Sequence, residues 1–347
     1  MKRLYNLDYL RGMAAFAIML YHYLSWTYGE FLSDTFMGRL GIYGVSIFYI
    51  LSGLTLFYVY HEKMLPSRSE IFEFIKKRVY RIFPLLWFVT IFSVIMAKEI
   101  PNINKLILNL TGLFGLLKWD SYYATGAWSI GNELVFYIFF PFFILFAKKS
   151  KLGLLITSLI IFGLYLYFAF NKLSTGQNLS VQWTNYVNPL NQVFLFLGGF
   201  LIGLFFQHVK LKNYIAILMI FIGVSIFVFF PVQGDLINLV TRFNRLVFTI
   251  SCFLICCGVY KLSLELPSVV HNPLKLLGEA SYSVYLLHPL VYAVTAFLNK
   301  KVFNFSGPVI ITLSVICTLI SSYIVYEYFE KFFMKMGKTK KQLVPQV

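Results

Sequence analysis

The sequence predicts an all-α protein: a polytopic integral membrane helical bundle of about ten transmembrane helices, with both termini cytoplasmic. Three observations carry that reading. The 347 residues are 59% hydrophobic and only 13% charged, whereas a soluble domain carries about 25% charged residues. So few charges cannot cover a water-facing surface of this size. A mean hydropathy of +0.74 comes from apolar runs of roughly 20 residues, the length that crosses a hydrocarbon layer. Finally, 30 Lys and Arg stand against 14 Asp and Glu, and they gather in alternate connections, as in cytoplasmic loops. A soluble enzyme, a disordered chain and a disulfide scaffold are excluded. The basic excess is read as topology, with the lipid bilayer as partner and no nucleic acid.

The runs fall near 10–27, 40–60, 80–97, 128–147, 152–170, 190–207, 213–230, 243–260, 280–299 and 307–328. With the N-terminus inside, inner segments hold most basic residues, among them Lys76, Lys77, Arg78, Arg81, Lys148, Lys149, Lys210 and Lys212. Lys2, Arg3, Asp8 and Arg11 open the first run and no small-residue cleavage site follows it, so it is expected to stay as the first helix. The stretch 103–118, broken by Gly112 and Gly115, is expected to be re-entrant or interfacial. Residues 1–330 form one transmembrane domain without internal repeat, and 331–347 a short basic cytoplasmic tail beside anionic lipid. Cys252, Cys256, Cys257 and Cys317 lie in apolar runs and read as buried thiols, with no metal-ligand spacing.

Ionisable groups inside a bilayer are costly, so each is a candidate for function. Arg11 and His22 are eleven residues apart, which on a helix means about 20° in direction and about 16 Å in height. They share a face, with Arg11 at the inner rim and His22 past mid-depth, and Asp8 is one turn from Arg11. A snorkelling anchor is the plain alternative for Arg11, and a packed imidazole for His22. Arg78 and Arg81, placed at the start of the third helix, read as an orientation signal or a phosphate clamp, since paired guanidinium forks suit phosphate oxygens. Glu133, behind Trp128 and Ser129, is expected in the outer half at the depth of His22, needing an imidazole or arginine partner or a proton. His288 precedes Pro289 in the inner half and serves either catalysis or the capping of a kinked turn.

The chain resembles the acyltransferase type 3 family of polytopic membrane O-acyltransferases. Leu7-Asp8-Tyr9-Leu10-Arg11-Gly12 with His22 is similar to that family's first-helix arginine, ten residues, then histidine. Gly44-Val45-Ser46-Ile47-Phe48-Tyr49-Ile50-Leu51-Ser52-Gly53 resembles its second-helix motif, Arg78, Arg81 and Ile82-Phe83-Pro84 its Arg-x-x-Arg-Ile-x-Pro, and Trp128-Ser129, Glu133 and Phe136-Tyr137 its Trp-Ser-x-x-x-Glu-x-x-Phe-Tyr. Ser281, Tyr285, His288 and Glu330 follow in the family's order. The departures are Ser46 where an acid is common, Leu134 in place of a frequent second acid, and Phe332 for a proline. Within its 347 residues the chain holds only the membrane unit, without the hydrolase-like extracellular domain that some relatives carry.

The resemblance implies that 1–330 is an acyltransferase domain in the cell (cytoplasmic) membrane. It would move an acyl group, typically acetyl, from cytoplasmic acetyl-CoA or another acyl-CoA to a hydroxyl of a cell-surface polysaccharide or a lipid-linked saccharide precursor. The catalytic candidates are His22, Glu133, Arg11 and His288. Those for the anionic donor are Arg78, Arg81 and Arg11, and those for substrate are Trp128 and Ser129. His22 is expected to act as general base with Glu133 orienting its ring; no metal and no resident cofactor are expected. A transporter or flippase of glycan precursors is the alternative, because buried Arg, His and Glu suit that class too.

Overall fold

A computed structural model describes residues 3–64, 67–98 and 100–338. It is all helical among those residues. The helices are α1 (Tyr5–Tyr28), α2 (Phe36–Tyr60), α3 (Arg68–Ala97), α4 (Ile103–Thr111), α5 (Phe114–Leu117), α6 (Ala127–Lys149), α7 (Lys151–Tyr167), α8 (Trp183–Tyr186), α9 (Pro189–Phe206), α10 (Asn213–Phe229), α11 (Arg242–Lys261), α12 (Ser268–Glu279), α13 (Ser281–Leu298), α14 (Gly307–Ile324) and α15 (Lys331–Met336). Short π-helical turns extend α7, α13 and α14. All ten predicted runs fall on helices. Eight of these segments are long and apolar enough to cross a membrane. Asn213–Phe229 is apolar but 17 residues long. The 24-residue α1 carries Asp8, Arg11 and His22 among its apolar residues. The protein is therefore a multi-pass membrane bundle.

Three expectations change. α3 begins at Arg68, well before the predicted run, with Ser67 accepting from the Glu70 N–H at 3.3 Å. Hydropathy marks the apolar part of a helix, while capping and local propensity set its true start. Arg78 and Arg81 consequently lie mid-helix, not at its beginning. The stretch 103–118 forms α4 and α5, parted at Gly112 with φ +73°, a left-handed value that favours glycine. Cys317 is exposed, while the other three cysteines are buried as expected. The expected tail is described only to Lys338, so Lys340 and Lys341 lie outside the described residues.

Two close helix approaches fix the geometry. α2 crosses α9 where a Cβ on Gly53 would strike the Phe196 carbonyl and one on Gly199 the Ile50 carbonyl. α1 meets α12 where a Cβ on Gly12 would lie 2.6 Å from the Gly278 nitrogen. Small residues let backbones touch where lipid supplies no hydrophobic drive between helices. The second approach sets the height of α13, which follows α12 directly and packs on α1.

Candidate active site

α1, α2, α3, α6 and α13 enclose a cavity of about 780 Å³. Arg11, Arg78, Arg81, Glu133 and Ser129 line it, together with Ser52, Thr55, Tyr137, Tyr282 and Tyr285. Arg11, for which a snorkelling anchor at the inner rim is the plain alternative, turns into the cavity. Its Nη1 lies 3.3 Å from Asp8 Oδ1, the expected one-turn neighbour, and its Nη2 donates to Thr55 Oγ1 on α2 at 2.8 Å. Asp8 is further held by Arg3 at 2.7 Å, and Arg3 reaches Glu279 at 2.6 Å. The start of α1 is thus tied to the end of α12 by a charge chain.

Arg78 is enclosed by the rings of Tyr60, Phe74 and Tyr137 at 5.8 to 5.9 Å from its guanidinium carbon. Its Nη2 donates to Tyr60 OH at 3.4 Å, while its Nε is buried without a partner. Arg81 makes no hydrogen bond or ion pair among the described residues. The same two arginines line a second space of about 1240 Å³ with Lys63, Lys77 and Lys338, whose positive charges outnumber the two carboxylates there, Glu70 and Glu73. Arg78 and Arg81 therefore stand at the junction of a broad basic vestibule and the inner cavity. Donors left free where two spaces meet are suited to an anionic group that passes between them.

Glu133 accepts from Ser52 Oγ at 2.6 Å and from Tyr137 OH at 2.5 Å, both through Oε1. It does not touch His22. The helix packed on α1 beside His22 is α13, not α6, so the partner of that imidazole is His288. His22 Nδ1 and His288 Nε2 are 2.8 Å apart, and His288 Nδ1 is 3.1 Å from the Val284 carbonyl oxygen. The two histidines share one level because the Gly12–Gly278 approach sets the register, where span-by-span counting placed them at different depths.

This chain of bonds decides the tautomers. A carbonyl oxygen only accepts, so His288 Nδ1 carries a hydrogen. In the neutral ring His288 Nε2 then accepts, His22 Nδ1 donates to it, and His22 Nε2 is left with a free lone pair. Pro289 lacks the N–H that would continue the helix ladder at the next residue, and Tyr23 OH donates to the His288 carbonyl at 3.0 Å. His288 is fixed, at 1% exposure.

Arg11 lines the cavity but His22 does not, so their shared helix face does not open into one space. The link between them is Tyr285. It lines the cavity, shares a 2.8 Å hydrogen bond with Ser129 Oγ, and its ring lies 6.0 Å from that of His288, one turn further along α13. His22 is half-buried, stacked on Trp26 at 5.0 Å and 7°, and Trp26 is 40% exposed. Trp128 is buried and does not line the cavity; it packs on Trp183 at 5.6 Å and Tyr186 at 5.8 Å. Thr55 escaped the sequence reading, and Ser52 and Tyr137 entered it only as motif residues without a role at the site. Helical spacing pointed to them, since Tyr137 is four residues from Glu133, and Thr55 three from Ser52. Among the described residues, no group of three or more His, Cys, Asp or Glu is placed to hold a metal ion.

A polytopic bundle with arginines and a glutamate around an internal cavity, and a histidine pair beyond its wall, is a membrane enzyme's or carrier's architecture. Comparison with known proteins decides the class: residues 4–327 match the acyltransferase domain family model, and the chain belongs to that family. It is 26% identical to the O-acetyltransferase OatA of Staphylococcus aureus (strain NCTC 8325 / PS 47), over 96% of this chain and 57% of that protein. It is 24% identical, over 82% of this chain and 71% of the relative, to a protein of Komagataeibacter xylinus assigned as the membrane-bound transacylase BcsY. The chain thus spans little more than half the length of the staphylococcal protein.

Proposed function

We propose that the chain is an O-acetyltransferase of the cytoplasmic membrane, using acetyl-CoA from the cytoplasm to esterify a hydroxyl of a cell-surface glycan or its lipid-linked precursor. The observation that carries this reading is the histidine pair, poised as a base one helical turn beyond a cavity that opens onto free arginines. The vestibule, with Lys63, Lys77 and Lys338, takes the donor's nucleotide phosphates. Arg78 and Arg81 hold the phosphates nearest the inner cavity, which accommodates the pantetheine arm, and the thioester comes to rest near Tyr285 and Ser129. The acceptor hydroxyl reaches His22 from the half-exposed side beside Trp26.

His22 Nε2 removes the hydroxyl proton as the oxygen attacks the thioester carbon. The carbon–oxygen bond forms, the carbon–sulfur bond breaks, and the proton passes from His22 to the departing CoA thiolate. As the imidazole becomes charged, its Nδ1–H remains bonded to His288, whose own Nδ1–H is anchored on Val284. Arg11, tied to Asp8 and Thr55, supplies positive charge at the cavity wall. Glu133 orders the Ser52 and Tyr137 hydroxyls and offsets part of the arginine charge.

The test is radiolabelled acetyl-CoA supplied to the outside of sealed proteoliposomes carrying the purified chain, with glycan acceptors enclosed in the lumen. Ester-linked label on the acceptor is expected. Acceptor movement across the vesicle membrane without incorporated label would make the protein a carrier instead.

A further inference from the structure

We propose that a further small cavity, between α2, α7, α9 and α11, holds a small monovalent anion of the halide class on the guanidinium of Arg245. The inference does not depend on the acyl-transfer reading. The cavity has an empty volume of about 220 Å³, and Ser46, Tyr165, Tyr186, Gln192, Arg245 and Thr249 form its polar lining, with apolar residues completing it and no acid among them.

Arg245 is 3% exposed. Its Nη2 donates to the Asn191 carbonyl at 2.8 Å and its guanidinium carbon sits 4.2 Å from the centre of the Tyr165 ring, yet Nη1 is buried with no partner at all. A guanidinium keeps its charge in any protein setting, and a buried charge without a partner is strongly unfavourable.

Arg39 shows how the same bundle satisfies a buried arginine from its own backbone. Also 3% exposed, it donates to the Ser33 carbonyl at 3.0 Å and to the Phe227 and Val228 carbonyls at 2.9 and 2.6 Å. The last two lie at the C-terminal end of α10, where the helix dipole is negative. Arg245 has one carbonyl in place of three, and that carbonyl lies in the first turn of α9 rather than at a C-terminal helix end. Around it the hydroxyls of Ser46 and Tyr186 hydrogen-bond to nothing among the described residues, so they are free to donate to an anion. A single guanidinium calls for a single negative charge, and the small space between four helices favours a monatomic ion over a larger one. Bound there, it ties α11 to α2 and to the Tyr186 ring, which packs on Trp128 at the start of α6.

The experiment melts the purified full chain in sodium chloride, bromide and gluconate at equal ionic strength. A melting temperature several degrees higher in chloride and bromide, saturating with concentration, is expected. Ser46→Asp places a carboxylate in the same cavity, and this variant should melt alike in all three salts, because its own charge replaces the ion. Crystals grown in bromide should show anomalous scattering inside the cavity. Equal melting of the wild type in the three salts, or an undiminished halide response in Ser46→Asp, would overturn the proposal. If Ser46→Asp does not fold, absence of a bromide signal in the wild-type cavity overturns it equally, since that result means water alone fills the space.

Discussion

Between α2, α9 and α11 the interior is largely aromatic and tightly packed: Phe57, Phe196, Phe200 and Phe248 are fully buried, and beside them the cavity at Arg245 is small. Between α1, α3, α6 and α13 the interior is lined by guanidinium, carboxylate and hydroxyl groups, and stays open over about 780 Å³. Both regions sit in one bundle and share α2, whose Ser46 faces the packed side and whose Ser52 and Thr55 face the open one. Polar groups cost most in lipid, so their concentration beside an unfilled space marks where stability gives way to substrate binding. The packed side holds the frame against which the open side is positioned.

The sharpest way to break this division is at the histidine pair. His22→Ala should lower acetyl transfer by at least about a hundredfold, the scale of a lost general base, while membrane insertion and melting temperature stay near wild type because the half-buried ring leaves no closed core. Transfer assays on the purified variant check this, and normal product would remove His22 from the chemistry. His288→Ala should follow closely, since it frees the His22 ring to turn and to take the other tautomer. His288→Gln should recover part of the loss, as its amide oxygen can accept from His22 Nδ1–H. A partner that merely packs would show no such recovery.

Next in size comes the junction of the two spaces. Replacing Arg78 and Arg81 together by Gln should raise the KM for acetyl-CoA roughly tenfold to a hundredfold, the scale of two lost charge-assisted contacts, with a smaller change in kcat. The effect should shrink as salt screens the wild-type attraction. Unchanged donor affinity would leave both arginines as orientation signals alone.

Much of this was legible from the residues, and the limits are physical. All ten apolar runs fall on helices, eight of them long and apolar enough to span a membrane. Arg11 and Glu133 were singled out because charged groups in apolar runs need a reason to be there, Arg78 and Arg81 as a pair on one helix face, and Ser129 as part of a motif. The partners were not legible. Glu133 was matched to His22 by depth, but depth in a span does not say which helix lies alongside. α13 reaches His22 because Gly12 and Gly278 bring α1 and α12 into backbone contact, a contact between residues distant in sequence. Trp128 was expected at the substrate and instead packs on Trp183 and Tyr186, since ring stacking among aromatics of separate elements leaves no periodic trace.

That same backbone contact gives the most delicate test of the division between open and packed regions. Gly278→Ala puts a methyl group against the Asp8 carbonyl, and Gly199→Ala puts one against the Ile50 carbonyl. In each case the added atom meets backbone, so the helices must shift, and each variant should lose about 1–3 kcal/mol of stability. Their melting temperatures should therefore fall by similar amounts. Their activities should not. At Gly199 the displacement falls on the frame between α2 and α9, away from the histidine pair. At Gly278 it moves α13 against α1 and lengthens the 2.8 Å contact between His22 and His288, so transfer should drop several times further in Gly278→Ala. Equal loss of activity at equal loss of stability would mean that the register of α1 and α13 does no more than hold the bundle together.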